Sequence, residues 1–499
     1  MNYRTTNLGF PGAWFWAAGV ILAGGVATAQ DLSSELLDQR QLAAAGLVRQ
    51  WFSRATVPAN YPGTFGWTLY VSPYTKKTVV EVRSAGGTYT YADRDLDFQG
   101  NPLGLEGAQR KAQLQVERLT LRGQSPTVAT YEVPDAYLVI MTPSATLECF
   151  DAETGARLWS TQVGPPGHPV YPPAVSEKWV AVVNGTEWVL VDRATGEITW
   201  RKKTEGVPGA GPALSRSLLF VPIHDGTMEI YSTRDFGQPM SLLRSLGHPT
   251  ASPVITLSSV AWPTDAGHLY VALAEQRFMN YRIETGRTID AQPAYRPVDG
   301  SGVFYIPSAD GYLYCVDERS GIIWWTYATG QLLIQTPLLY GNSVLLVTGD
   351  NNLYHLSGDP PQRQPELQWI APRVRKVLAV HKQRIYAVGM VGQLVVLDLA
   401  SGTRLYETVK PLPAVHMING LTNRIYVATT HGRIECLRPL EAAYPDVHID
   451  LSKWRPEEMK PEAGADMGKA ADGSTMPPMG PATDVRPAAP GGDPFAPRP

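Results

Sequence analysis

A tetrad of the form Asp-x-x-x-Gly-x-x-x-Trp recurs along this chain, and its interval constrains the fold more tightly than any other feature. It reads Asp151, Gly155, Trp159; Asp192, Gly196, Trp200; Asp317, Gly321, Trp325; and Asp398, Gly402, Tyr406, where Tyr stands in for Trp. Looser copies begin at Ser232, Arg282, Ser357 and Arg438. The Asp-equivalent positions therefore advance by roughly forty residues through eight units, the signature of a repeat architecture.

Each unit carries the same strand grammar ahead of its tetrad. Apolar runs such as 136–141, 178–183, 302–307 and 423–428 are followed by a polar turn and a short alternating segment, as in TLECFD, YLYCVD and RIECLR. Runs rich in Val, Ile, Leu and Tyr, punctuated by Gly, Asp and Pro, read as strands. Four strands fit each unit, and eight such units predict an all-β, eight-bladed β-propeller whose radial closure protects its sheet edges. The tetrad Gly supplies a turn between third and fourth strands where positive φ costs little. The Trp then buries a large apolar surface between neighbouring blades.

The strand-Asp-x-x-Thr/Ser-Gly-x-x-x-Trp phrase resembles the repeat of the pyrroloquinoline-quinone-like (PQQ-like) propellers, over about residues 115–440. That superfamily includes quinoprotein alcohol dehydrogenases and the propeller lipoprotein of the outer-membrane assembly machinery. The resemblance is specific for fold and weak for activity. Counting back from TVATYEV, taken as an inner strand, places the ring-closing outer strand at 115–122, in preference to the competitor at 446–451.

The termini speak to compartment. Arg4, an apolar stretch at 13–26 and Ala27-Thr28-Ala29 before Gln30 read as a cleavable export signal over 1–29, with an uncleaved inner-membrane anchor as the alternative. No Cys stands directly after the apolar stretch, which argues against lipid attachment of the bacterial lipoprotein type. After the signal, residues 30–112 are assigned to an extension: an amphipathic helix over 32–55 and a hairpin made of GWTLYVSP and TKKTVVEVRS. The propeller is assigned to 113–445, and the Pro-, Gly- and Ala-rich stretch 446–499 to a disordered tail. A formal net charge of −3 with 18% charged residues gives no basis for a nucleic-acid partner.

The resemblance to quinone enzymes implies a cofactor on the ring axis, a divalent cation held by carboxylate and amide oxygens, and a base. It also implies two adjacent Cys residues, whereas Cys149, Cys315 and Cys436 stand apart, each two positions before an Asp-equivalent. They read as small core residues, as does His355 in the same register. The acidic turn Asp93, Asp95, Asp97 lacks the Gly and the terminal Glu of a calcium loop. No catalytic residue, metal ligand or cofactor is assigned.

What remains is one face. His168 and His248 lie in loops joining one blade to the next, and His224, Asp225, Asp310, Asp350 and His431 in turns between second and third strands. Arg373 and Arg375 join them through APRVRKV. In a propeller these two loop classes share the face around the channel mouth, so these nine residues form the candidate binding face. The expected function is an exported, non-catalytic, monomeric scaffold that binds an envelope protein or peptide. The alternative is a PQQ- and Ca²⁺-dependent dehydrogenase of alcohols or sugars.

Overall fold

The computed structural model describes residues 37–450, apart from 58–62, 86, 239, 299–300 and 359–360. The export-signal reading at 1–29 and nearly all of the tail at 446–499 lie outside the described residues.

Eight antiparallel sheets make up the ring, seven of four strands and one of five. Strands such as Trp179–Asn184 and Glu187–Asp192 are buried almost without interruption, because side chains alternate to the two sheet faces and adjacent blades cover both. The apolar clusters accordingly lie between blades. Val139, Leu147 and Trp159 of the first blade, for example, pack on Val180, Val182 and Val189 of the second.

The tetrad is the latch between blades. In the first blade Asp151 Oδ1 accepts the backbone N–H groups of Glu153 and Thr154, at 2.9 and 2.8 Å, and Gly155 takes φ +72°. Asp192 and Gly196 repeat the arrangement in the second blade. The Trp159 indole of the first blade lies flat against Gly196 of the second, where an added Cβ would fall 2.6 Å from the ring. Its Nε1–H donates to the Arg193 carbonyl at 2.8 Å. Tyr281 on Gly321 and Trp369 on Gly402 are the same contact further round. Trp200 departs from it: the third blade offers no Gly at that position, and the ring remains 39% exposed, stacked on Phe236.

The closure differs from the sequence expectation. Helix α1 (Gln39–Ala44) is short, Gly46 at φ +73° ends it, and strand β1 (Leu47–Arg54) follows where a long helix over 32–55 was expected. Strand β1 pairs antiparallel with Arg433–Pro439 and is the outer strand of the eighth blade. The periodic apolar residues of this segment, Leu47 and Trp51, are real, but they face neighbouring blades rather than one helix groove. Trp51 then docks on Gly155 of the first blade, its Nε1–H donating to the Ala152 carbonyl at 3.0 Å. The ring closes with the contact used by its internal joints.

Strand β2 (Gly66–Ser84) is one long strand where a hairpin was expected, with an irregularity between Val71 and Lys76. Its first part is the inner strand of the first blade, so both β1 and β2 come from the stretch assigned to an extension. Strand β3 (Gly87–Ala92) pairs with the outer part of β2. Helix α2 (Gly104–Leu121) occupies 115–122, where a closing strand was expected. Its Ala108, Ala112 and Leu119 sit at helical spacing and pack on Val80 and Val82 of β2. Strand β4 (Thr127–Met141) returns along the whole of β2 and enters the blade, and TVATYEV is its outlying part rather than an inner strand. Strands β5 (Thr146–Asp151) and β6 (Arg157–Gln162) complete that blade.

The alternative closing segment is not a ring strand either. Residues 440–450 run past the turns between first and second strands, and Val447 makes a single bridge to Thr422. The Arg424 guanidinium donates to the Ala442 and Ala443 carbonyls at 3.2 and 3.0 Å, the Tyr444 ring meets Tyr131, and the His448 ring meets Tyr340 edge-on. Among the described residues, no helix is long and apolar enough to cross a membrane.

Candidate functional site

The connectivity places eight of the nine candidate residues in the two expected loop classes, while Arg375 falls within the strand Val374–His381, and the structure converges few of them. His431 and Asp350 stand exposed on separate blades. Asp310 is occupied: it accepts the Gly286 and Tyr312 N–H groups at 2.8 and 2.9 Å and the Tyr314 hydroxyl at 2.6 Å. Burial and this carboxylate push the Tyr314 phenol up to about 12. Asp310 therefore braces its own turn against the preceding inter-blade loop.

Asp225 caps its turn in the same manner, accepting the Thr227 N–H at 2.9 Å, and that bond holds its carboxyl below the usual range. Arg373 takes φ +63°, and its carbonyl accepts the Arg404 guanidinium at 3.1 Å. The exposed Arg375 lies at the start of the seventh blade's inner strand, Val374–His381, with Lys376 beside it. Burial first, then Arg375, lowers the Lys376 ammonium. Burial, then Lys376 and Arg375, takes His416 on the eighth blade's inner strand down to about 4. This corner is the one concentration of positive charge that the candidate residues form.

The other convergence is between His224 and His248, whose rings stack with centroids 4.3 Å apart. His168 lies nearby in the connection between first and second blades, its ring against Gly185. It walls a recess of about 450 Å³ together with Pro165, Pro169, Tyr171 and Pro208, with Glu187 and Lys203 on the lining.

Sequence reasoning missed the axial cavity. A space of about 590 Å³ is lined by Trp67, Tyr171, Pro172, Ala210, Pro212, Met417 and their neighbours on the inner strands. The available signal was the small-residue run 206–213. Gly211 admits no side chain, since an added Cβ would lie 2.6 Å from the Pro172 carbonyl oxygen, and the inner strands pack that closely. Among the described residues, no Asp, Glu, Lys or Arg lines this cavity. An anionic quinone with a divalent cation needs charged and carboxylate partners, so this lining does not fit such a group. Among the described residues no group of three or more His, Cys, Asp or Glu is placed to hold a metal ion.

The Asp93, Asp95 and Asp97 carboxylates are turn caps, accepting the backbone N–H groups of Thr78, Ala92 and Gln99 respectively. The three Cys are free and buried, and His355 is buried with its Nε2 2.8 Å from the Ser343 hydroxyl.

A family model described as outer membrane protein assembly factor BamB matches residues 143–297 and 263–428. Among solved structures, BamB from Moraxella catarrhalis is similar at a TM-score of 0.49 and 12% identity, covering 60% of this chain and 93% of that one. The computationally designed Ika8 protein is similar at a TM-score of 0.46 and 14% identity, covering 60% and 92%. A chain of the mitotic checkpoint complex gives 0.44 and 9%, covering 60% and 83%. No curated protein matches.

Proposed function

The chain belongs to the family of the outer membrane protein assembly factor BamB, and from that premise we propose that it is an exported scaffold which binds an envelope protein and serves outer membrane protein assembly. The observation that carries the binding role is the recess between the first three blades. Pro165, Pro169, Pro208 and Tyr171 give it a rigid apolar wall, while His168, Glu187 and Lys203 add polar groups. An apolar floor with polar groups around it suits a segment of extended polypeptide. The exposed Arg373 and Arg375 on the same face supply attraction for acidic residues of the partner, which raises encounter rate more than final affinity.

The test is made in the source bacterium and with purified protein. Deleting the gene lowers the level of outer membrane proteins, and a photo-crosslinking residue at position 168 captures one envelope partner. His168→Asp with Lys203→Glu, and separately Arg373→Glu with Arg375→Glu, weaken the purified complex. Unchanged binding by both pairs removes the mouth face from the reading. Saturable uptake of PQQ with Ca²⁺, accompanied by dye-linked oxidation of an alcohol or sugar, would replace the scaffold with an enzyme.

A further inference from the structure

The mouth loops of the third and fourth blades bring two imidazoles face to face. His224 sits in the turn between Leu218–Pro222 and Thr227–Ser232, and His248 in the connection from Ser241–Arg244 to Val254–Ile255. Their ring planes are 6° from parallel, with centroids 4.3 Å apart. Both backbones are pinned: the His224 N–H donates to the Val207 carbonyl at 2.8 Å, and the His248 N–H to Asp265 Oδ1 at 2.7 Å. Both side chains are exposed.

The hydrogen bonding of the second ring adds a chemical fact. His248 Nδ1 bonds to the His224 carbonyl oxygen. A carbonyl only accepts, so Nδ1 carries the proton and Nε2 keeps its lone pair in the neutral ring. That arrangement is how imidazoles are prepared for metal binding, because the outer hydrogen bond fixes the tautomer and raises the basicity of the ligating nitrogen. As stacked, the two rings hold their in-plane lone pairs parallel, so the His224 ring turns about its Cβ–Cγ bond to share an ion with His248 Nε2.

We infer that His224 and His248 form an open two-imidazole site for a divalent transition-metal ion of the nitrogen-preferring class, Zn²⁺, Ni²⁺ or Cu²⁺. Imidazole suits these ions, whereas Mg²⁺ and Ca²⁺ select oxygen. No third His, Cys, Asp or Glu joins the pair in a metal-binding group among the described residues. The ion's remaining positions therefore go to water or to a side chain from outside the chain, as in sites that keep a position open. The inference rests on this pair and not on the proposed scaffold role.

The experiment titrates tag-free protein with Cu²⁺ and with Zn²⁺ by calorimetry, and records the Cu²⁺ electron paramagnetic resonance spectrum. One ion per chain binds with a dissociation constant of about 1–100 µM, and the spectrum shows coupling to imidazole nitrogen. His224→Ala and His248→Ala each weaken binding at least about tenfold, the double variant abolishes it, and lowering the pH releases the ion as protons compete for the same nitrogens. All variants keep the parent thermal melt, because both side chains are exposed. Absence of a saturable site, or a site of the same affinity in the double variant, overturns the inference.

Discussion

Arg424 of the eighth blade and Glu153 of the first form an ion pair at 3.0 Å across the closing seam, 271 residues apart in sequence. The Arg424 side chain is fully buried and that of Glu153 is 9% exposed. Gln50 of β1 donates to the same carboxylate at 3.1 Å, and the guanidinium also holds the 440–450 segment through two carbonyls. Four parts of the chain that are remote in sequence thus meet at one charge pair. Glu153→Ala strands a buried guanidinium, a change that typically costs about 3–5 kcal/mol. Urea unfolding measures the loss, and a cost below about 1 kcal/mol would mean that the seam does not depend on the pair.

Trp51 is the tetrad Trp of the eighth blade, supplied by the other end of the chain. Trp51→Ala removes an indole buried against Gly155 and Tyr426, with an expected loss of about 3–5 kcal/mol. Phe52, which is 61% exposed, is the matched control, and Phe52→Ala shifts stability by no more than about 0.5 kcal/mol. Equal losses in denaturant unfolding would contradict the closure described here.

Gly155 and Gly330 share a positive φ, of +72° and +70°, but differ in surroundings. An added Cβ meets the Trp51 ring at 2.5 Å in the first and nothing within 4 Å in the second. Gly330→Ala carries only the left-handed backbone penalty, about 1–2 kcal/mol. Gly155→Ala adds overpacking of about 1–3 kcal/mol more. The difference between the two unfolding midpoints reads out the inter-blade contact alone.

Burial takes His416 and His448 down to about 4 from an ordinary value of 6.5. The folded protein then binds fewer protons than the unfolded chain between these limits. Their contribution is complete above pH 6.5 and is lost as the pH falls through about 4, for up to about 3 kcal/mol each. His355 and His381 shift in the same direction through burial. Urea unfolding at pH 7.5 and 4.5 shows the loss, and His448→Phe, which retains an aromatic contact with Tyr340, flattens the slope. An unchanged slope in that variant would place the acid sensitivity elsewhere.

Burial pushes the Cys149 and Cys315 thiols up to about 12, and Cys436 rises through the same cause. The thiolate is the reactive form, so none of the three is alkylated in the native state at pH 8. All three react after unfolding. Rapid labelling of any one in folded protein would contradict its place in the inter-blade core.

Much of the ring was legible because its contacts are local and repeated. Asp151, Gly155 and the strands around them are neighbours in sequence, and each unit restates them. The functional face was less so. Asp310 accepts the Tyr312 N–H within its own turn, a local bond, but its second bond comes from Gly286 in a loop 24 residues away, which local sequence does not show. Nothing local distinguished His224 and His248, which stack, from His431, which stands apart, because the choice depends on how two adjacent blades set their loops.

By itself, the sequence determined the blade: strand period, turn chemistry and the Gly–Trp latch all arise within about fifty residues, where hydrogen-bonding pattern and side-chain alternation decide the outcome. Only the tertiary structure decided how the ring is joined. Residues 47–54 carry spaced apolar side chains that suit a helix or an edge strand, and 115–122 alternate well enough to suit either as well. The open edge at Arg433–Pro439 needs a partner for its backbone N–H and C=O groups, and β1 meets that demand. Helix α2 instead buries Ala108, Ala112 and Leu119 on a sheet that exists only because β2 and β4 run beyond the first blade. Long-range pairing settled both segments, since the free energy of an unpaired sheet edge exceeds any local preference of so few residues.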